Sequence, residues 1–547
     1  MYGIIGAGGR KLYAPQAQQQ LGGITRARSM RRWSPTGFEG VSDSVVDEKW
    51  DGEVGQFLKS CLGSDRLERI THALSTPARH LCIRVNRLKT TREEVMRRLP
   101  LELEDEDDRK LLQEFPPEAH DVLPMAVILR GKGPCEVEYD DSLLEGREVI
   151  VGRLAGEAML KGAHCYAPGV LASTHGLQKG DLVAVSVGVE TSKDTFGVSR
   201  LSLLPPHIPL DDARFPNRKN LFIGIGMIMC DRGDMVKKQG LAVKMVQRVY
   251  SLPSIDSQEL MNGEIIAQAL PSLVAAATLN PSPGSRVIDM CAAPGGKTTA
   301  LAELMENKGE IFALDRTHAK AKRIQDLAEK MGITIIKAVK ADATKSVSKR
   351  EGEDYVITNG ELRLEKGSLK RDQRKQERRI LAGHPEKHTK FMNVLENGFS
   401  EKSFDYVLLD APCTALGLRP RLLLSNMSMD DLKKTAAYQR MLLDAAVKLV
   451  RPEGRLVFST CSISPLENEA NVRYVLDTYP FMELEKSDVH LGGPGLTGTV
   501  TLPNRDGNNR ECRLLNEEEA KLVQRFDPGG ELDTMGFFVA KFKRTAV

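Results

Sequence analysis

Two cysteines carry the chemistry worth asking about first. Cys413 closes the run Asp410-Ala411-Pro412-Cys413 after an apolar stretch over 404–409, and Cys461 follows Thr460 after a second apolar stretch over 455–459. Either cysteine alone reads as a small buried hydrophobe. A third stretch changes their meaning. Residues 287–299, VIDMCAAPGGKTT, form an apolar run that ends at Asp289 and passes through Cys291, Ala292, Ala293, Pro294, Gly295 and Gly296 to Lys297 at a helix start. Small residues in such a loop let backbone N–H groups approach a bound molecule closely, and the N–H groups opening the next helix add positive potential. In open α/β sheets ligands sit beyond the carboxyl ends of the strands, so both thiols, Asp410 and the glycine loop share one rim.

Spacing separates the ligands this loop can hold. A phosphate-cradling loop needs Gly-x-x-x-x-Gly-Lys-Thr, and counting back from Gly296 the first glycine is replaced by Cys291. A dinucleotide fingerprint needs a third glycine, which neither this loop nor Gly224-Ile225-Gly226 provides. A nucleoside without a phosphate chain remains, and S-adenosylmethionine is the common cofactor of that kind. Asp315, ending the apolar run after the glycines, stands where an acidic residue meets ribose hydroxyls, and Asp342 ends the following strand at the height of an adenine amino group. The plain alternative is a structural βα turn with no ligand. With a methyl donor the cysteines acquire a task. Cytosine carbon 5 is a poor nucleophile until a thiolate adds to carbon 6, so its methylation needs an activated cysteine, a group at N3 or the amino nitrogen, and a later base.

The elements that must position these residues alternate in type. Strands are expected over 286–290, 310–314, 333–341, 404–409, 455–459 and 536–542, with helices from 298, near 319–331, from Ser428 and over 465–479, an α/β domain spanning 284–547. A segment at 345–402 interrupts it with Lys366, Lys370, Arg371, Arg374, Lys375, Arg378 and Arg379, a solvated insertion or an RNA-contacting one. Upstream, 45–140 begins a first module with helix-compatible spacing from Phe57 to Ile70, a strand over 80–89 and a capping-box helix start at Thr91 and Glu94. Arg84 and Arg87 on that strand read as solvating an exposed face. Residues 141–237 are glycine- and valine-rich short segments typical of a small β-barrel closing near 222–226. Helix-like patterning over 241–280 resumes the first module at 238–283, which makes the barrel an insertion. The 1–44 tail is basic, acid-free through residue 38 and disordered by composition, and it also has the look of an organelle transit segment.

Composition bounds the rest. The chain has 547 residues, room for three or four domains, and a net charge of +3, so nucleic-acid affinity must come from local clusters. Its 9 cysteines include no Cys-x-x-Cys pair, which argues for free thiols, a reducing cytoplasmic setting and no zinc site. No apolar run approaches the roughly 20 residues of a membrane span.

The segment 161–169, Lys-Gly-Ala-His-Cys-Tyr-Ala-Pro-Gly, resembles the contact loop of PUA domains, compact RNA-binding barrels, through Gly162, Ala163 and Gly169. That resemblance implies RNA contacts at Gly162 and Ala163, with His164 and Tyr166 placed to stack on bases or to pack within the barrel. VIDMCAAPGGKTT, LLDAPC and STCSISPLENEANV together resemble the Sun-type RNA cytosine-5 methyltransferases, and the inserted PUA-like segment is similar to their tRNA acceptor-end branch. The resemblance implies a Rossmann-like class I methyltransferase sheet of about seven strands, an N-terminal RRM-like module and an inserted PUA barrel. It implies Cys461 as nucleophile on carbon 6, Cys413 in product release and Asp410 at N3 or the amino group, with Lys297 touching Asp410 or substrate. Residues 291–297 with Asp315, Asp342 and Asp410 would hold S-adenosylmethionine. The implied partner is tRNA, with messenger RNA a second substrate class, for a monomer without metal or membrane. One departure stands out: Thr414-Ala415 follows Cys413 where the family usually has Ser-Gly, and Ala415 hinders a turn that needs φ > 0. Two other readings compete, an RNA-binding protein that keeps the fold without activity and a nucleotide hydrolase built on Gly-Gly-Lys-Thr.

Overall fold

A computed structural model describes residues 31–32, 50, 52–139, 143, 146–188, 202–204, 221–236, 239–255, 260–348, 357–360, 392–424, 427–502 and 510–546. The chain enters through two helices, α1 (Gly52–Leu62) and α2 (Ser64–Leu74), then strand β1 (His80–Val85), α3 (Arg92–Glu102), α4 (Glu106–Glu114), β2 (Glu118–Ala119) and β3 (Ala126–Arg130). Thr91 caps α3 by accepting from the backbone N–H of Glu94, satisfying one of the helix's free donors.

A second sheet follows, built from β4 (Glu148–Gly152), helix α5 (Arg153–Leu160), β5 (Cys165–Tyr166), β6 (Val170–Thr174), β7 (Leu182–Gly188), β8 (Ser202–Leu204), β9 (Phe222–Ile228) and β10 (Leu241–Arg248). Its seven strands run in the order β8-β6-β4-β7-β9-β10-β5. This differs from the sequence expectation, which ended the sheet near 222–226 and gave 241–280 a helical pattern. β10 is extended because β9 offers it two glycines. A Cβ at Gly224 would lie 2.1 Å from the Gln247 carbonyl oxygen, and one at Gly226 would lie 2.3 Å from a Val243 methyl, so bare backbone lets the strands close. Helix begins only after β11 (Ile265–Ala267), at α6 (Leu270–Leu279). β11 pairs with β1, giving a four-stranded antiparallel sheet β11-β1-β3-β2 whose fourth strand arrives after the intervening sheet.

The remaining chain alternates: β12 (Arg286–Asp289), α7 (Gly296–Leu304), β13 (Glu310–Asp315), α8 (His318–Met331), β14 (Ile336–Lys340), β15 (Ile357–Gly360), β16 (Met392–Leu395), β17 (Phe404–Asp410), α9 (Met429–Leu449), β18 (Val450–Thr460), α10 (Glu469–Thr478), β19 (Met482–Leu484), β20 (Thr499–Leu502), β21 (Arg510–Arg513), β22 (Gln524–Phe526) and β23 (Phe537–Arg544). The large sheet has the order β15-β16-β14-β13-β12-β17-β18-β23-β19, with β22 also on β23. Six of these, β14, β13, β12, β17, β18 and β23, are the strands the sequence placed; β15, β16, β19 and β22 raise the total to ten. From β16 to β18 the strands are parallel, and β23 returns antiparallel. Both faces are covered, which is why the strands read as continuous apolar runs. Val287, Ile311, Leu408 and Val457 face α6 and α7, while Ile288, Phe312, Val407 and Phe458 face α9. α1 and α2 pack beneath the rim itself, where Phe57, Leu58, Leu67 and Ile70 meet Leu416, Ile463 and Leu466 from the loops after the two cysteines.

Within the insertion, Ile357–Gly360 and Met392–Leu395 pair antiparallel at the sheet edge. The basic residues Lys366, Lys370, Arg371, Arg374, Lys375, Arg378 and Arg379, and nearly all of the 1–44 tail, lie outside the described residues.

Candidate active site

The parallel order brings the glycine loop, Asp410 and the two cysteines to one edge of the sheet, because β12, β17 and β18 are adjacent and end together. Cys413 Sγ lies 3.2 Å from Cys461 Sγ. Lys297 Nζ, on the first turn of α7, lies 2.7 Å from Asp410 Oδ2, and Ser459 Oγ donates to the other carboxylate oxygen at 2.6 Å. Both partners are donors, an arrangement suited to a carboxylate that accepts. Asp289 is buried, accepts from Thr298 Oγ1 at 2.7 Å, and is pushed up to about 7 by burial and by Asp410.

A cavity of about 840 Å³ opens on this edge, lined by Cys291, Pro294, Gly296, Lys297, Asp410 and Cys461 among others. Ala292 and Ala293 also line it. Gly295 has φ +109 at the start of α7, a conformation for which glycine is suited, and a Cβ there would press on Ile324 of α8. The loop therefore presents small side chains and a helix N-terminus to a nucleoside-sized space, which fits S-adenosylmethionine. Asp315 sits behind the loop, accepting from Ala293 N at 3.3 Å and Arg316 N at 2.7 Å and pairing with Lys320 at 3.3 Å. Asp342 accepts from Thr344 N and Thr344 Oγ1 in a short 3₁₀ turn after β14.

The two thiols are held in unequal states. The Cys461 thiol is pulled below the ordinary thiol value, first by a hydrogen bond from Cys413 and then by the positive charge of Lys297, against opposing burial and Asp410. Cys413 goes the other way, well above it, through its contact with the Cys461 sulfur and its own burial. The two sulfurs face each other across one contact, and the lower of the two thiol values falls on Cys461.

One sequence reading needs correction here. Arg84 does not solvate an exposed face: it is 0% exposed and reaches from β1 into α7, donating to Gln268 Oε1 at 2.9 Å, Thr299 Oγ1 at 2.6 Å and the Gly296 carbonyl, with Glu303 at 3.2 Å. Strand alternation explains this, since Arg84 shares a face with Cys82 that packs on the catalytic sheet, opposite Ile83 and Val85. Ala415 does adopt φ +56, so the turn after Cys413 is left-handed despite its side chain. His164 is held by its neighbours, with Nδ1 2.8 Å from Arg248 and Nε2 3.6 Å from Asp105. Tyr166 is 60% exposed, Ala163 O accepts from Arg248, and Gly162 has φ +101 against the Leu252 carbonyl. None of these four lines the cavity. Sequence reasoning missed Glu467, a buried carboxylate inside the quoted Ser-Thr-Cys motif. An acidic residue six positions after a rim cysteine, within the Pro465-Leu466-Glu467-Asn468-Glu469 run, is the signal that was available.

An α/β fold of parallel strands with a nucleoside-sized cavity and a glycine loop at its strand ends is the architecture of a nucleoside-cofactor enzyme. Comparison with known proteins gives its family. The 16S rRNA methyltransferase RsmB/F family matches residues 276–357 and 377–543. The chain is 40% identical to the rRNA (cytosine-C(5))-methyltransferase NOP2C of Arabidopsis thaliana over 90% of each chain. It is 30% identical to the human tRNA (cytosine(72)-C(5))-methyltransferase NSUN6, over 90% of this chain and 95% of that one. The crystal structure of NSun6 from Pyrococcus horikoshii with SFG, an S-adenosylmethionine analogue, covers 92% of this chain and all of its own at TM-score 0.64 and 28% identity. The chain belongs to the RsmB/F family of RNA cytosine-C(5) methyltransferases and is an S-adenosylmethionine-dependent enzyme.

Proposed function

We propose that this enzyme methylates carbon 5 of a cytosine at the acceptor end of tRNA, cytosine 72, with Cys461 as nucleophile. The observation that carries the mechanism is the 3.2 Å thiol pair beside the Lys297–Asp410 pair, on the edge of a cavity that holds the glycine loop. The Cys461 thiolate adds to carbon 6. Asp410 accepts from the cytosine amino group, and Lys297 both anchors Asp410 and holds the thiolate's charge. Bound S-adenosylmethionine supplies an electrophilic methyl group; residues 291–297 with Asp315, Asp342 and Asp410 are assigned to it. Cys413, having given its proton to solvent, takes the proton from carbon 5 as the carbon 6–Cys461 bond breaks, which restores the C5–C6 double bond and frees the Cys461 thiolate. A depressed thiol matters because each pKa unit changes the thiolate fraction near neutral pH by about tenfold.

Substrate choice follows from the modules ahead of the catalytic sheet. The four-stranded sheet with sequence order 4-1-3-2 is assigned as RRM-like and the second sheet as PUA, with Gly162, Ala163, His164 and Tyr166 on its RNA-facing loop. The named tRNA relatives span both sheets, since they match 90% or more of the chain. The enzyme acts as a monomer in the cytoplasm, with messenger RNA a further substrate class. A second reading, ribosomal RNA, is favoured by the 40% identical relative named for it. Incubation with methyl-labelled S-adenosylmethionine and either total tRNA or ribosomal RNA, followed by bisulfite sequencing, separates the two. A cytosine 72 of tRNA that resists conversion supports the first reading; label and protection confined to ribosomal RNA replace it with the second.

A further inference from the structure

Glu467 is 0% exposed and lies between the loops that carry the two thiols. One of its oxygens accepts from the Thr414 backbone N–H at 2.8 Å and from Gln439 Nε2 at 3.3 Å; the other accepts from Thr414 Oγ1 at 2.6 Å and from Ser462 Oγ. Thr414 follows Cys413 and Ser462 follows Cys461, so a single carboxylate grips the residue next to each cysteine. Four donors converging on one side chain suit a carboxylate, which only accepts. The grip is extended on both sides. Gln439 Nε2 also donates to the Pro412 carbonyl at 2.9 Å, just before Cys413, and Asn471 Nδ2 donates to Gln439 Oε1 at 2.7 Å and to the Glu467 carbonyl at 3.2 Å. Thr414 also precedes Ala415, whose φ of +56 is a left-handed conformation that a residue with a Cβ adopts at a cost.

We propose that Glu467 is the positioning residue of the cysteine pair: by accepting from Thr414 and Ser462 it fixes the Cys413–Cys461 spacing, and with it the 3.2 Å contact between the two sulfurs. The role of that spacing in turnover rests on the two-cysteine reading above, whereas the spacing itself is measured on the thiols without RNA. Glu467 touches neither sulfur, so its influence on them has two separable parts. Its negative charge opposes both thiolates, and its hydrogen bonds hold the pair together. Removing the charge alone favours the Cys461 thiolate; removing the grip disfavours it.

The test is the pH dependence of alkylation of Cys461 by iodoacetamide in the full-length protein, read by peptide mass spectrometry, for wild type, Glu467→Ala, Glu467→Gln and Thr414→Val. Glu467→Ala moves the Cys461 profile to higher pH and lowers its alkylation rate at pH 7 by about three- to tenfold. Glu467→Gln, which keeps an acceptor oxygen at the same reach, recovers most of that loss. Thr414→Val keeps the backbone N–H and gives an intermediate shift, and it serves as the probe if Glu467→Ala does not fold by circular dichroism. With S-adenosylmethionine and RNA, Glu467→Ala accumulates a protein–RNA adduct on denaturing gels. Unchanged alkylation profiles in folded Glu467→Ala, or in Thr414→Val where Glu467→Ala does not fold, overturn the proposal. A profile that shifts while wild type transfers no methyl group leaves the positioning role standing and refutes the two-cysteine reading.

Discussion

The Cys461 thiol is drawn below its ordinary value first by its contact with Cys413 and then by the charge of Lys297, against burial and Asp410. Cys413→Ala removes the larger contribution, so the iodoacetamide profile of Cys461 moves to higher pH than in wild type; an unshifted profile would mean that the sulfur contact contributes no activation. Asp289 offers a different pH handle. Its carboxyl is raised from 3.8 to about 7, so between about pH 4 and 7 the folded protein holds a proton that the unfolded chain has released. Folded-state stability therefore falls as pH rises through that window, by at most about 4 kcal/mol for the full shift. Asp289→Asn keeps an acceptor for Thr298 and removes this slope, so urea unfolding at pH 5 and pH 8 differs less in the variant than in wild type.

At the scale of elements, the first module is locked to the glycine loop and α7 through one side chain. Arg84 on β1 is the buried cation between Glu303 of α7, the Gly296 carbonyl at the helix start and Gln268 after β11. Arg84→Met leaves Glu303 buried without its partner, and such losses cost about 3–5 kcal/mol. The expected outcome is a lower urea midpoint together with weaker S-adenosylmethionine binding by calorimetry; wild-type affinity in a folded variant would show that the strut is structural only. The α/β alternation, the glycine loop and the rim cysteines were legible from apolar runs ending in glycine, aspartate or cysteine. Arg84 was not, since a charged residue within HLCIRV reads as exposed unless the second face of the sheet is known to be covered. Nor was β10: its extended form depends on Gly224 and Gly226 in a strand that precedes it by some twenty residues.

At the scale of the whole molecule, three parts meet around Arg419, whose guanidinium donates to Asp533 Oδ1 at 2.6 Å and to the Thr76 and Pro77 carbonyls at 3.0 Å each. This joins the end of α2 to the loop after Cys413 and the segment before β23. Arg419→Ala is expected to speed hydrogen exchange of amides in 64–79 and near 415–420 together; faster exchange in only one of them would show that the segments are held independently. Long-range pairings of this kind, with partners more than a hundred residues apart, leave no mark on local periodicity, and they explain why the modules were legible one by one while their contacts were not. Among the described residues no helix is long and apolar enough to cross a membrane. The most direct measurement of the central claim is a denaturing gel of the full-length protein incubated with tRNA and methyl-labelled S-adenosylmethionine, comparing wild type, Cys461→Ala and Cys413→Ala. The account predicts labelled 5-methylcytosine with wild type, no label and no adduct with Cys461→Ala, and a labelled covalent adduct with Cys413→Ala. Methylation that survives in Cys461→Ala would contradict it.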